Sequence, residues 1–308
     1  MPGRVPGGKR VVHGKAQMFD GFSEFDIDVS GTTIHGRCGG SGPPVLLLHG
    51  IPETHLMWHR VAPELARHHT VVATDLRGFG ASGKPESTPD HSPYAMSTLA
   101  RDQVAVMAEL GFPRFAVAGH DRGARCAYRM ALDHPEVVTA LAVLDIIPTG
   151  DVFDHSDHDL WLSHWVWTFL AAPRPIPEIM IARSPSTFVN HMLDSWSSDP
   201  SVFPPSLRTA YITNFATPQG IRAICEEYRA AATIDYADDH RDLGVRRIEC
   251  PVLVLWDEKG FVGQSFDPLR VWQRWAPDVR GKPLRGGHFL PEENPDEVAR
   301  ELLDFLSA

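Results

Sequence analysis

The pentapeptide Gly119-His120-Asp121-Arg122-Gly123 is the first candidate for chemistry, because it sets an aspartate inside a glycine-flanked turn. The apolar run Phe115 to Ala118 precedes it and is typical of a buried strand. Ala124 to Asp133 follows it, with apolar residues at helical intervals. A carboxylate presented between a strand and a helix attacks a saturated carbon that bears a leaving group, and it forms an ester. These residue types predict alkyl transfer rather than acyl transfer.

A histidine and a second acid are the partners that such a nucleophile needs. His288, after Gly286 and Gly287, precedes the last helix, where the base stands when the chain order is nucleophile, acid, histidine. Two acids compete to orient the imidazole, because Asp145 and Asp257 each end a predicted strand at the carboxyl edge of the sheet. The residues alone leave both acids open.

Two arginines and two main-chain N–H groups complete the predicted site. The N–H groups of Ile51 and Arg122 are expected to form an oxyanion hole. Arg122 and Arg125, about one helical turn apart, would keep Asp121 ionised and offer bidentate donors to a carboxylate. Structural ion pairs are the alternative role of these arginines. In a chain of net charge −10, two arginines beside a reactive carboxylate favour an anionic substrate.

Alternating strand and helix patterns surround these residues and predict an α/β chain with a mainly parallel sheet. The strand–turn–helix context of Asp121 is that of the α/β-hydrolase nucleophile elbow, whose usual pattern is G-x-S-x-G. The segment rich in Trp, Pro, Phe and His after Pro148 has little strand signal. We therefore expect an α/β-hydrolase core at residues 18–147 and 239–308, a helical cap at 148–238, and a flexible tail at 1–17.

Composition excludes several classes of partner. The net charge of −10 argues against nucleic acid and anionic membranes, and no run approaches the roughly 20 apolar residues of a membrane span. The N-terminal segment has no apolar core of the kind found in secretory signals, so a cytoplasmic location is expected. Four widely spaced cysteines predict buried free thiols. Asp151 to Asp159, with two histidines, is interpreted as a solvated cap segment rather than a metal site, and no cofactor is expected.

The chain resembles the fluoroacetate (haloacetate) dehalogenases of the α/β-hydrolase superfamily over roughly residues 18 to 308. The resemblance lies in four segments: Ala118 to Arg125, His49 to Trp58, Leu144 to Pro148 and Gly287 to Glu292. It implies Asp121 as nucleophile, His288 as base and Asp145, rather than Asp257, as its acid partner. It also implies that Arg122 and Arg125 bind the substrate carboxylate, and it is consistent with a homodimer formed through the cap.

The resemblance further implies a halide pocket in the cap, made in this family by an adjacent His-Trp pair and a tyrosine. Tyr228 and Trp167 match the tyrosine and the tryptophan, but Val166 stands at the histidine position. His164 precedes that position by two residues, about 200° around a helix, and is expected to face elsewhere unless the local register shifts by two residues. Because fluoride concentrates its charge, losing one donor favours chloro and bromo substrates.

The predicted function is hydrolytic dehalogenation of a small 2-haloacid through an aspartyl ester. Two alternatives stay open. An epoxide hydrolase would use the same Asp121, His288 and acid, but it needs cap tyrosines to protonate the epoxide oxygen. A catalytically silent binding protein of the same fold would not need the complete set of Asp121, Asp145 and His288.

Overall fold

A single eight-stranded sheet organises the chain, for which a computed structural model describes residues 18–155 and 158–307; the tail predicted at 1–17 lies outside this part. The sheet order is β1-β2-β4-β3-β5-β6-β7-β8, parallel from β4 to β8 and antiparallel in the pairs β1–β2 and β2–β4. The strands are β1 (Ser23–Val29), β2 (Thr32–Gly40), β3 (Pro44–Leu48), β4 (Thr70–Thr74), β5 (Phe115–His120), β6 (Val138–Leu144), β7 (Val252–Asp257) and β8 (Val279–Leu284).

Helices cover both faces of the sheet and fill the connection between β6 and β7. Before β6 they are α1 (Ala62–Leu65), α2 (Met96–Glu109) and α3 (Arg122–Asp133). Between β6 and β7 they are α4 (Thr149–Asp154), α5 (His158–Ser163), α6 (Trp165–Ala171), α7 (Ile176–Arg183), α8 (Pro185–Trp196), α9 (Pro205–Phe215), α10 (Pro218–Ala230) and α11 (Tyr236–Asp242). After β7 they are α12 (Phe261–Ser265), α13 (Pro268–Trp272), α14 (Leu290–Glu293) and α15 (Pro295–Leu306).

The central strands are apolar runs because both of their faces are covered by helices. Every residue of β5 and β7 is buried, and so are the last four residues of β3 and of β6. Parallel strands end at one edge of the sheet. That edge carries the turns after β3, β5, β6 and β7, so the candidate residues that follow these strands are brought together there.

The predicted mainly parallel sheet with inserted helices is confirmed, with two local differences. The sequence from His55 to Ala66 predicts one helix, but the structure has a 3₁₀ segment, His55–Arg60, followed by the short α1, in which Pro63 lacks an N–H donor. The sequence of strand β8 does not predict a strand, because Gly281 and Pro283 interrupt its apolar pattern. It lies at the edge of the sheet, where proline is tolerated.

Helices α4 to α11 follow one another between β6 and β7, and α11 continues through the cap boundary predicted at 238/239. All four cysteines are free thiols, with Cys126 and Cys225 buried. Among the described helices, none combines the length and apolar character that crossing a membrane requires.

Candidate active site

Asp121 occupies a strained turn between β5 and α3. Its φ of 45° and ψ of −116° lie in a region that non-glycine residues rarely adopt. The glycines on either side allow the strand and the helix to approach. A Cβ on Gly119 would lie 2.4 Å from the carbonyl oxygen of Gly123, and a Cβ on Gly123 would lie 2.4 Å from that of Leu48. The two glycines therefore let the turn close tightly enough to project the Asp121 carboxylate beyond the sheet.

The loop after β3 contacts this carboxylate directly. The main-chain N–H of Ile51 donates a hydrogen bond to Oδ2 of Asp121 at 3.1 Å. A Cβ on Gly50 would lie 2.5 Å from the Cβ of Asp121, so only glycine permits this approach. Arg122, the other predicted oxyanion donor, is the first residue of α3, where a main-chain N–H has no acceptor in its own helix. The N–H group of Ile51 thus lies within hydrogen-bond reach of the Asp121 carboxylate.

His288 is oriented by Asp145, which follows β6. The Nδ1 atom of His288 lies 2.7 Å from Oδ2 of Asp145, leaving Nε2 for the substrate side of the ring. Asp257, the competing acid, donates its main-chain N–H to Oδ1 of Asp145 at 3.0 Å. Its own Oδ1 accepts the N–H of Lys259 at 3.1 Å. The geometry therefore assigns Asp145 to the imidazole and gives Asp257 a supporting position behind Asp145.

Charge keeps Asp121 ionised despite its burial. Burial alone raises the pKa of this carboxyl, but the nearby imidazoles of His288 and His120 and the guanidinium groups of Arg122 and Arg125 outweigh it. The pKa of Asp121 therefore lies below its ordinary value. An ionised carboxylate in this position is the form that a nucleophile requires.

The two arginines are held differently. Arg125 lines the cavity above Asp121, donates through Nη1 to the carbonyl oxygen of Ile147 at 2.9 Å, and stacks over Trp167 with 4.5 Å from Cζ to the ring centroid. Arg122 is fully buried and donates through Nε to Oε1 of Glu227 at 3.0 Å. Within the described residues, neither Nη1 nor Nη2 of Arg122 has a hydrogen-bond partner. Buried, unpaired guanidinium donors favour an anionic ligand beside them.

A cavity of about 630 Å³ joins the predicted nucleophile, base and halide residues. Trp167 and Tyr228 both line it, with ring centroids 6.0 Å apart. Val166, which stands at the position of the family histidine, lines the cavity as well. Side chains of α6 and α10 therefore line the same cavity as Asp121.

His164 also lines this cavity, so the expectation that it faces elsewhere is wrong. The helical rotation does not apply because His164 stands between α5 and α6, with φ −106° and ψ 27°, and interrupts the helix. Its ring packs against Phe261, with centroids 3.9 Å apart. Burial, with the nearby imidazole of His288 and guanidinium of Arg125, lowers the pKa of His164 to about 4, so the imidazole of His164 is neutral at pH 7.

A contact between the inserted helices and the His288 loop was missed by the sequence analysis. The N–H of His288 donates to the carbonyl oxygen of Trp196 at 2.9 Å, and the Trp196 ring meets the imidazole edge-on at 5.7 Å. Glu293 accepts from the N–H of Ser198 at 2.7 Å and from that of Phe289 at 3.1 Å. A contact across about ninety residues leaves no local sequence signal.

The candidate metal ligands are satisfied by protein groups. Asp151 accepts from Nε1 of Trp275 at 2.8 Å and forms an ion pair with Arg274; residues 156 and 157 of the same acidic segment lie outside the described part. His35, His55 and Asp75 also lie close together. His55 and Asp75 are hydrogen-bonded to each other, and Nε2 of His55 accepts a hydrogen bond from Arg37 at 3.2 Å.

Known proteins share this architecture. The sequence pattern of the α/β hydrolase fold matches residues 43–295. A fluoroacetate dehalogenase from Burkholderia sp is 45% identical over 94% of this chain and 95% of that protein. A soluble epoxide hydrolase from Corynebacterium sp. is 30% identical over 91% of this chain and 95% of that protein. A variant of an epoxide hydrolase from Pseudomonas aeruginosa, solved with bound MFA, is 41% identical, with a TM-score of 0.89 and coverage of 95% and 98%.

Identity at this level and coverage exceeds what fold similarity alone explains. It agrees with the resemblance carried by Asp121, Asp145, His288 and the two arginines. The chain belongs to the α/β-hydrolase fold family and, within it, to the fluoroacetate/haloacetate dehalogenases, hydrolases that act on carbon–halide bonds.

Proposed function

We propose that this protein hydrolyses small 2-haloacids to 2-hydroxyacids and halide through an ester on Asp121. The observation that carries the proposal is the meeting, in one cavity, of an ionised aspartate, an Asp145–His288 pair and Arg125, with the unpaired guanidinium donors of Arg122 beside it. The substrate is a small anionic molecule, and water is the second reactant.

In the first step an Asp121 carboxylate oxygen attacks the α-carbon of the haloacid. The carbon–oxygen bond forms as the carbon–halogen bond breaks, and the halide leaves with the bonding electron pair. Arg122 and Arg125 hold the substrate carboxylate by charge-assisted hydrogen bonds. Trp167 and Tyr228 donate to the departing halide. Displacement from the rear inverts the configuration at the α-carbon, so (S)-2-chloropropionate is expected to yield (R)-lactate.

In the second step His288 accepts a proton from water through Nε2, while Asp145 stabilises the imidazolium. The hydroxide attacks the carbonyl carbon of the Asp121 ester. The N–H groups of Ile51 and Arg122 stabilise the oxyanion. Collapse of this intermediate expels the alkoxide of the hydroxyacid, which takes the proton back from His288. The Asp121 carboxylic acid that forms releases its proton to water, which regenerates the carboxylate.

One turnover in heavy-oxygen water tests this order of events. Label is expected in the Asp121 carboxylate and not in the first hydroxyacid released, because water attacks the ester carbonyl. Label that enters only the product would favour direct attack of water on the substrate. The variant His288→Gln is expected to accumulate the ester, which mass spectrometry of the intact protein detects, and Asp121→Asn serves as the control that forms none.

We also propose that chloro and bromo substrates are turned over more readily than fluoroacetate. Val166 gives the cavity a hydrocarbon wall, and the imidazole of His164 is neutral at pH 7. A neutral donor stabilises a leaving fluoride less than a cationic one does. Halide release from fluoro-, chloro- and bromoacetate measures this preference, and equal turnover of fluoroacetate and chloroacetate would contradict it.

An epoxide hydrolase activity is the second candidate, favoured by the similarity to epoxide hydrolases and by Tyr228 in the cavity wall. Burial raises the pKa of Tyr228, so its phenol holds a proton that an opening epoxide could accept. The arginines favour the acid substrate. Diol formation from neutral epoxides, without halide release from any 2-haloacid, would select the epoxide activity.

Two broader predictions from the sequence accompany this proposal. A homodimer through the inserted helices is tested by sedimentation of the purified protein. A cytoplasmic location is tested by fractionation of cells that express it.

A further inference from the structure

Three buried polar residues sit directly beside the three catalytic segments of the proposed function. Glu53 is two residues after Ile51, His120 immediately precedes Asp121, and Glu292 is four residues after His288. The side chains of Glu53 and His120 have no exposed surface, and Glu292 is 1% exposed. The mechanism above uses none of the three, so their burial needs its own explanation.

Contacts link these residues into a series. The hydroxyl of Tyr211, in α9, donates to Oε1 of Glu292 at 2.9 Å. The carboxyl groups of Glu292 and Glu53 lie within hydrogen-bonding reach of each other. Oε2 of Glu53 lies 3.3 Å from Nδ1 of His120. At the end of the series, Nε2 of His120 lies 2.8 Å from the main-chain carbonyl oxygen of His288.

The last contact fixes one proton, and the cost of burying charge in this enclosed series favours a neutral imidazole at His120. A carbonyl oxygen only accepts, so Nε2 of His120 must carry the hydrogen. In a neutral imidazole Nδ1 is then an acceptor, and the atom that faces it must be a donor. Ionised Glu53 cannot supply one. A protonated Glu53 can, and its other oxygen then accepts from a protonated Glu292, whose remaining oxygen already accepts from Tyr211.

Protonating Glu53 and Glu292 therefore gives a hydrogen-bond partner to every atom of this series that the ionised forms leave unpaired. Both carboxyl oxygens of Glu53, Nδ1 of His120 and Oε2 of Glu292 lack partners when the acids are treated as carboxylates. With both acids protonated, each of these atoms has one hydrogen bond. The series is then electrically neutral, as a fully buried cluster next to the Asp121 carboxylate should be.

We propose that Glu53 and Glu292 are protonated in the native enzyme and form, with Tyr211 and His120, a one-directional hydrogen-bond chain that positions His288. The direction runs from the Tyr211 hydroxyl to the carbonyl oxygen of His288. Glu53, Glu292 and His120 are positioning residues, since they act on the base through its main chain. This role rests on the proposed function of His288, whereas the protonation of the acids does not.

The surroundings of the acids agree with this arrangement. Burial, with the negative charges of Asp121 and Glu293, raises the pKa of Glu53 to about 8, although the hydrogen bond from Glu292 opposes the rise. Burial and the carboxyl group of Glu53 raise the pKa of Glu292 well above its ordinary value, although the hydrogen bond from Tyr211 opposes the rise.

A cationic side chain that reaches this region is Arg60. Its Nη1 donates to the main-chain carbonyl oxygen of Glu292 at 3.1 Å rather than to a carboxyl oxygen. The imidazole of His49, which lies near His120, has its pKa lowered to about 4, chiefly by burial, and so is neutral. Neither group compensates an ionised Glu53.

Loss of the proton from Glu53 has a defined consequence. A carboxylate facing Nδ1 of His120 draws the ring hydrogen to Nδ1, which leaves Nε2 without a hydrogen opposite the carbonyl oxygen of His288. The bond that positions the base is then lost. Ester hydrolysis should therefore decline as the pH rises through about 8.

Glutamine substitutions test the chain because an amide keeps its direction without a titratable proton. In Glu53→Gln the amide N–H donates to Nδ1 of His120 and the amide oxygen accepts from Glu292. In Glu292→Gln the amide donates to Glu53 and accepts from Tyr211. Glu64→Gln, at a partly exposed position, is the matched control.

The first measurement is the equilibrium constant of unfolding, obtained by urea denaturation at several pH values between 5 and 8. Both acids have native pKa values above those of the unfolded chain, so they contribute stability below the unfolded pKa that is lost as pH rises through the native one. Each retained proton raises the unfolding constant about tenfold per pH unit in that window. Glu53→Gln and Glu292→Gln should each reduce the rise of the unfolding constant by a factor of about ten per pH unit, and Glu64→Gln should leave that rise unchanged. Slopes equal to that of the wild type would overturn the proposal.

The second measurement is the rate of chloride release from chloroacetate between pH 6 and 10. The wild type should lose activity above pH 8, and Glu53→Gln should keep it. An unchanged alkaline decline in Glu53→Gln would overturn the positioning role. If the wild type released no halide from any 2-haloacid, the proposed function would fail, while the unfolding slopes would still decide the protonation. Should either variant not fold, the infrared carbonyl band of protonated carboxyls in the wild type, present at pH 6 and diminished at pH 9, replaces the first measurement; its absence at pH 6 contradicts the proposal.

Discussion

The main-chain N–H of Asp257 donates to Oδ1 of Asp145 at 3.0 Å, so the acid that does not contact the imidazole supports the acid that does. Oδ2 of Asp145 is thereby left for Nδ1 of His288 at 2.7 Å. Asp145 adopts a positive φ of 54°, which turns its side chain toward His288 at some cost in backbone strain. Two acids that look equivalent at their strand ends thus have different partners.

Asp145→Asn is expected to lower the rate of halide release much more than Asp257→Asn. An asparagine amide at position 145 favours the wrong imidazole tautomer, and comparable changes in triads lower kcat by about 10³- to 10⁴-fold. Asp257→Asn leaves the main-chain N–H in place, so we expect a change of less than about tenfold. Steady-state chloride release measures both variants, and similar losses in the two would contradict the assignment.

Arg125→Gln should discriminate acid substrates from neutral ones. Losing a charge-assisted contact to the substrate carboxylate costs about 1.5–3 kcal/mol, or about 10- to 150-fold in kcat/KM for chloroacetate. Chloroacetamide has no carboxylate, so its slower turnover should change far less. An equal loss for both substrates would indicate that Arg125 supports the cavity wall, where it contacts Ile147 and Trp167, rather than the ligand.

His164 and Val166 are expected to set the ratio of fluoride to chloride release. His164→Ala removes an imidazole from the cavity and should lower turnover of fluoroacetate more than that of chloroacetate, by about tenfold in the ratio. Val166→His adds an imidazole to the same wall and should shift the ratio the other way. Leu162→Ala, which lines the cavity without a polar group, is the control. A ratio that is unchanged in both histidine variants would exclude a role for this wall in leaving-group stabilisation.

Ester formation should be nearly independent of pH between about 5 and 7. The pKa of Asp121 lies below its ordinary value, so the nucleophile is ionised throughout this range and loses its charge only at lower pH. The rate of the first step is isolated in His288→Gln by following the single-turnover release of chloride. A fall in that rate with a midpoint above pH 5 would contradict the electrostatic account of Asp121.

Local sequence was sufficient for the parts of this protein whose physics is local. The glycines around Asp121, the position of His288 before the last helix and the spacing of Arg122 and Arg125 each follow from a turn or a helical repeat. The apolar strands follow from burial on both faces, whereas edge strand β8, with its glycine and proline, lacks that signal. The segment near His55 was wrongly expected to be a longer helix, because Pro63 interrupts its hydrogen bonding.

What only the tertiary structure decided concerns contacts between segments that lie far apart in the chain. The residues alone leave Asp145 and Asp257 open and the resemblance implies Asp145, but the contact itself between Asp145 and His288 joins residues 143 positions apart. The direction of His164 depends on a break between two helices that packing imposes. The residues of the series from Tyr211 to His288 form no recognisable sequence pattern. Their proton positions depend on which acceptor each donor contacts in the folded chain. Sequence determined which chemical groups are present, and the fold determined which of them are in contact.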